Sequence, residues 1–149
     1  MTSNNIDLIK DVIAFIEKNN TDFAKKLGVF KEKISDGVFK YGAYNARITH
    51  FLVFEKDKKV CEVSFYCENL IFSLQELEAI FGVSRKGYNF RENYTQFSFP
   101  QNLSFINELF FIKDNRFEFE NDGRITEIDP RGGKTSHKDI GFNAFCFNF

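Results

Sequence analysis

Phenylalanine fills 21 of the 149 positions and tryptophan none, and much of that apolar mass returns at every second residue: Phe97 and Phe99, Phe117 and Phe119, then Phe145, Phe147 and Phe149. Alternate residues of an extended chain point to one side, so this spacing calls for strands with an apolar face that something must cover. The number of phenylalanines is the lesser clue. Phe, Ile, Asn and Lys are all common while alanine (six) and proline (two) are scarce, which is the residue profile of an A/T-rich genome. Their positions constrain the fold whatever set their number.

A chain of this length fits one domain, residues 1–149, that buries somewhat under ~70% of the surface its unfolded form exposes. Hydrophobic residues make up 43% and charged residues 28%, spread evenly, which excludes a disordered or low-complexity chain. A formal charge of -1 supplies no broad basic field for a nucleic-acid backbone. The polar start leads into a segment broken by Asp7, Lys10 and Asp11, so neither a secretory signal nor a membrane-crossing run is expected, and the reading is a cytoplasmic protein. Three cysteines, an odd number, suit a reducing compartment. Cys61 and Cys67 fall on one predicted strand about 20 Å apart, too far to pair, and all three thiols are expected as small buried apolar groups.

Ile6, Ile9, Val12, Ile13 and Ile16 keep helical spacing up to Asn19 and Asn20. Thr21 is placed to cap a short second helix carrying Phe23 and Leu27 and closed by Gly28; Val29, Phe30, Lys33 and Ile34 then continue a helical period as far as Gly37. From Arg47 the period becomes two. A hairpin turning at Asp57 and Lys58 would set Phe54 opposite Cys61, Leu52 opposite Val63, His50 opposite Phe65 and Ile48 opposite Cys67, giving one apolar face and a mixed one that includes Phe51 and Val53.

Ser73-Leu-Gln-Glu76 reads as a capping box that starts a helix with Leu74, Leu77, Ile80 and Phe81 on its buried side and Gly82 at its end. Residues 84–93 are polar and turn-rich and read as a surface loop. Tyr94 to Phe99 alternates until Pro100. Turns at Asp114-Asn115 and Asp122-Gly123 predict a meander in which Phe110 and Ile112 face Phe119 and Phe117, which face Thr126 and Ile128; residues 103–112 also satisfy a helical period. Residues 130–138 are glycine-rich and basic and read as a mobile loop. Phe145, Phe147 and Phe149 need cover from their own sheet or from another chain. The fold class expected is therefore α+β, an antiparallel sheet of about five to six strands in two hairpin or meander units, packed against N-terminal helices and one central helix.

Groups able to do chemistry are few. His50 and His137 are the only histidines, which rules out HExxH and any three-imidazole site, and no metal or cofactor is expected. His50 is predicted in the core as a neutral ring. Gly132-Gly133-Lys134-Thr135 lacks the earlier glycine of a phosphate-binding loop, since that position holds Ile128, and no apolar helix follows it. A thiol or acid–base enzyme would need His137 within reach of Cys146, Cys67 or a carboxylate. Glu118 and Glu120 share one side of a strand, and Tyr41, Tyr44, Tyr88 and Tyr94 fit interface anchors better than catalysis.

The functional reading is a non-catalytic protein-binding domain acting by steric occlusion, as an immunity protein or antitoxin-like inhibitor of a toxin or effector would. Its partner is another protein, with no nucleic acid and no membrane. Arg85, Lys86, Tyr88, Arg91, Glu118, Glu120, Arg131, Lys134 and His137 are the residues expected to meet it. The alternative is a small-molecule module, for an apolar or anionic ligand, with a pocket lined by Phe65, Phe97, Phe110 and Phe117.

Overall fold

Helix α1 (Asn4–Asn19) buries Ile6, Leu8, Ile9, Val12 and Ile16 along one side, and the Asn19 side-chain amide turns back to donate to the Phe15 carbonyl at 2.8 Å. The computed structural model describes residues 4–114, 116–119, 125–128, 134–136 and 140–149, the backbone alone for 116–119, 125–128 and 134–136. A 3-10 turn (Asn20–Asp22) leads to the short helix α2 (Phe23–Leu27), whose Phe23 is fully buried.

The third helix expected from residue 29 is a strand. β1 (Gly28–Ser35) and β2 (Val38–Ala43) form a hairpin around Asp36-Gly37, with Gly37 at φ 74°. The helical period of Val29, Phe30, Lys33 and Ile34 was accidental, because every residue from Val29 to Ser35 is exposed and there is no buried stripe for a period to serve. The Asp-Gly pair was the better local signal. Gly28 closes α2 as expected, its N–H donating to the Ala24 carbonyl, and its extended backbone opens β1, where a Cβ would collide with the Gly42 carbonyl and the Phe51 ring.

β3 (His50–Lys56) and β4 (Lys59–Tyr66) turn at Asp57 and Lys58 as expected, both with positive φ (54° and 66°), which matches the twist of the flanking strands. The register beyond the turn differs by one residue. Glu55 pairs with Val60 but Phe54 pairs with Glu62, leaving Cys61 as the extra residue of a bulge. A one-residue slip turns a strand over. Phe51 and Val53, opposite Phe65 and Val63, are therefore the buried pair, whereas His50 and Leu52 lie opposite Tyr66 and Ser64 on the other face. Cys61 is exposed, contrary to expectation, and Cys67 and Cys146 are buried.

β5 (Phe72–Ser73) runs into helix α3 (Leu74–Phe81), which buries Leu74 and Leu77 and ends at Gly82. The capping-box hydrogen bond is absent at Ser73. The Leu74 N–H instead donates to the Ile140 carbonyl at 3.0 Å, so a tertiary contact anchors this end of the helix. Residues 84–93 are not a loop: β6 (Arg85–Asn89) pairs antiparallel with β7 (Tyr94–Pro100) through a tight turn. Thr95, Phe97 and Phe99 of β7 are fully buried, on the side their alternation predicts.

β8 (Glu108–Lys113) settles the ambiguity of its segment as a strand, and pairs with β7 rather than continuing a meander. β9 (Arg116–Phe119), β10 (Ile125–Ile128) and β11 (Lys134–Ser136) form a separate three-stranded sheet, in which Phe119 faces Ile125 and Phe117 faces Glu127, one residue from the expected register. Part of the expected basic loop is thus strand β11. β12 (Gly141–Phe142) pairs with β5, and β13 (Ala144–Asn148) lies between β4 and β8.

The main sheet has eight antiparallel strands in the order β1-β2-β3-β4-β13-β8-β7-β6. One face carries Phe51, Phe65, Phe145, Phe147, Leu109, Phe111, Phe97 and Phe99, packed with the buried residues of α1, α2 and α3 in one core cluster. Ring contacts run through it, with Phe65 and Phe145 at 5.0 Å between centroids and Phe72 and Phe145 at 5.6 Å. The Glu17 carboxylate fixes α1 to the residues before β8: it accepts the Ser104, Phe105 and Ile106 N–H groups at 2.8–2.9 Å and the Ser104 hydroxyl at 2.7 Å. No helix among the described residues is long and apolar enough to cross a membrane.

Candidate functional site

On the sheet face turned away from the core, near the β6 edge, polar side chains line a groove of about 560 Å³. Alternation builds it. Arg85 lies opposite Ser98, Gly87 opposite Gln96 and Asn89 opposite Tyr94, and Glu108 of β8 closes one side. Gly87 faces open space, since a Cβ added there would meet nothing within 4 Å.

Hydrogen bonds hold the lining in place. The Gln96 amide donates to the Ser98 hydroxyl at 3.1 Å and to the Glu108 carboxylate at 3.4 Å, and Asn148 of the central strand donates to the same Glu108 oxygen at 3.1 Å. The Asn89 amide reaches the Tyr94 hydroxyl at 3.3 Å while its oxygen accepts the Arg91 and Glu92 N–H groups at 3.0 and 2.9 Å, fixing the hairpin tip. At that tip the Tyr88 hydroxyl donates to the Asn93 side-chain oxygen, and its ring meets Phe90 edge-on at 4.7 Å. Phe90 is 79% exposed. Such a ring beside a tyrosine and an arginine is a ready contact for another molecule.

Three of the nine expected partner residues, Arg85, Lys86 and Tyr88, line this groove, and Arg91 is exposed at the hairpin tip next to it. Lys86 is committed elsewhere. Its ammonium sits 3.3 Å from the half-buried Glu78 carboxylate and donates to the Ser84 carbonyl at 3.1 Å, tying β6 to α3. Partial burial pushes the Glu78 carboxyl up, but the Ser84 N–H and hydroxyl and the Lys86 charge outweigh it and leave the group below its ordinary value. Glu118 is on β9 and Lys134 on β11, where Lys134-Thr135 is extended strand and does not open a helix. Glu120, Arg131 and His137 lie outside the described residues.

Gln96, Ser98 and Glu108 were not among the expected contacts, whereas Tyr94 was expected as an interface anchor and Gly87, Asn89 and Phe90 fall within the surface segment 84–93. Their signal was available in the alternation of 85–89 against 94–98, but it is visible only once residues 84–93 are read as half of a hairpin.

The remaining reactive groups sit apart from the groove. His50 is half-buried outside the core, stacked on Tyr66 at 4.7 Å and 11°, and burial together with the nearby Lys40 lowers its pKa despite Glu68. Burial raises the Cys67 thiol to about 11 and the Cys146 thiol to about 12, so both resist forming the thiolate a nucleophile requires. Among the described residues no cluster of three or more His, Cys, Asp or Glu is placed to hold a metal ion. Phe65 and Phe97 are fully buried on the core face, while Phe110, paired with Ser98 and Cys146, belongs to the opposite face, so these three do not line one pocket. The side chain of Phe117 lies outside the description.

No protein-family model, curated protein or solved structure matches this chain.

Proposed function

We propose that this chain is a protein-binding domain of the cytoplasm that works by occlusion, in the manner of an immunity protein or antitoxin-like inhibitor of a toxin or effector. One observation carries the reading: a groove with a hydrogen-bonded floor, bordered by Arg85 and Tyr94, with the Tyr88 ring and the exposed Phe90 on the hairpin beside it. Arginine and aromatic side chains dominate the energy of protein interfaces when they are held in place before binding, because little freedom is then lost on contact. Arg85 and Arg91 favour an acidic partner surface.

Gly87→Trp is the direct test. The substitution fills the groove from a position with open space around it, so the fold is retained while docking is blocked. Affinity purification from the native cell is expected to recover a stoichiometric protein with the wild-type chain and to lose it with Gly87→Trp and with Arg85→Glu. Recovery of no such protein, or of one indifferent to both changes, would overturn the reading. A groove of this volume also suits a small anionic molecule, with Arg85 as counter-charge. In that case native mass spectrometry would find a small molecule, rather than a protein, released by the same substitutions.

A further inference from the structure

The opposite edge of the sheet is unlike the groove. Among the described residues β1 pairs only with β2 and presents its outer row of backbone N–H and C=O groups at the sheet edge. Val29, Phe30 and Ile34 on it are 44%, 53% and 50% exposed. The two sides of this edge differ in chemistry. On the side continuous with the core, Phe30 contacts Tyr41 at 5.7 Å and Phe39 at 6.4 Å, and Tyr41 stacks on Phe51 at 5.1 Å, so the aromatic core runs out to the last strand. On the other side the Lys31 stem passes over Gly42, close enough that a Cβ there would lie 2.8 Å from it. Between residues 23 and 43 five lysines accompany two carboxylates, Glu32 and Asp36, in a chain whose formal charge is -1.

We propose that the free edge of β1 takes up an extended segment of a protein partner in which bulky apolar and acidic side chains alternate, adding a strand to the sheet. Side chains of an added strand alternate between the two sides. Those on the core side extend the Phe30, Phe39 and Tyr41 cluster beside Lys33, and those on the far side meet Lys31 and Lys40, with Glu32 between them. A second copy of the chain is opposed in every register centred on the charged run. Antiparallel self-pairing centred on Glu32 sets Lys31 against Lys33 and Glu32 against itself, while centring on either lysine sets that lysine against its copy, and like charges directly opposed are destabilising. The bulges that follow Phe30 and Lys33 further disfavour a long regular pairing of two such edges. This inference rests on the reading of the chain as a protein-binding domain, but uses the edge remote from the groove.

Amide hydrogen exchange of the whole chain tests it, using a short blocked peptide alternating glutamate with valine and its lysine-for-glutamate counterpart as probes. The glutamate peptide is expected to slow exchange through residues 29–35 saturably, less so as salt rises, and the lysine peptide to leave that edge unchanged. Phe30→Ser and Lys31→Glu should each weaken the effect at least about tenfold, with exchange in β3 and β4 unaltered as the sign of an intact fold. No slowing at residues 29–35, equal slowing by both peptides, slowing at β6 instead, or a dimer that protects β1 would each overturn the proposal. If it fails while Gly87→Trp still abolishes partner recovery, the protein-binding reading stands alone. If it holds while Gly87→Trp changes nothing, the groove is the part that falls.

Discussion

At Glu17 one carboxylate gathers three consecutive backbone N–H groups and a hydroxyl, a small anion nest made by residues 104–106 and filled from a helix some 87 positions earlier in the chain. Burial raises the Glu17 carboxyl, but the four donors together prevail and hold it below its ordinary value of 4.5. A carboxylate whose folded pKa is depressed contributes stability that is fully present above its unfolded pKa and fades as pH falls through the folded one. Glu17→Gln should therefore cost about 1–2 kcal/mol near neutral pH, the upper range being discounted because the site faces solvent. Urea unfolding of both proteins should show the gap narrowing below pH 4.5 and vanishing in stronger acid. A gap independent of pH would mean that packing of the side chain, and not its charge, matters here.

Among elements, the β3–β4 hairpin shows how one residue decides what the sequence can tell. The turn at Asp57 and Lys58 was legible, and so was the period of two on each side, but alternation says nothing about where an extra residue interrupts the pairing. Cys61 is that residue, and it moves Phe51 and Val53 to the inside and His50 to the outside. The expected register and the observed one differ in a measurable way. In the folded protein Cys61 should react promptly with a thiol reagent while Cys67 and Cys146 react only on unfolding, so that thiol counting gives one fast group and two slow ones. Had the unbulged register held, all three would be slow.

The same cause hid other elements. The α1 stripe, β7 and the terminal Phe145 and Phe147 pattern were readable because burial on one side leaves a strong hydrophobic period. β1 and β6 were missed because they are edge strands: β1 exposes nearly every side chain and β6 is polar, so neither carries the period that burial imposes. With β6 read as a loop, the groove built on it could be named only in part, through Arg85, Lys86 and Tyr88. Gln96 and Glu108, two of the positions on the neighbouring strands that complete it, look like ordinary solvent-facing residues until the strands are set side by side.

For the whole molecule the governing fact is strand order. β13 comes last in the chain described and sits fourth from one edge and fifth from the other, hydrogen-bonded to β4 on one flank and β8 on the other. Phe145 and Phe147 are fully buried there and touch rings from β4, β5 and each other. Phe145→Ala should cost about 3–5 kcal/mol, as large-to-small changes in a packed core do. Against a total of about 5–15 kcal/mol for a domain, that is enough to leave a weakly folded protein. Thermal unfolding followed by circular dichroism should show the loss. A cost below about 1 kcal/mol would mean the centre of the sheet is not tightly packed.

That placement also bears on how the protein is made. A ribosome releases residues in order, and the two halves of the sheet have no common strand to join them until β13 has emerged. Until then β4 and β8 each keep one flank without its partner, so the order of synthesis places the closing of the sheet after both halves have emerged.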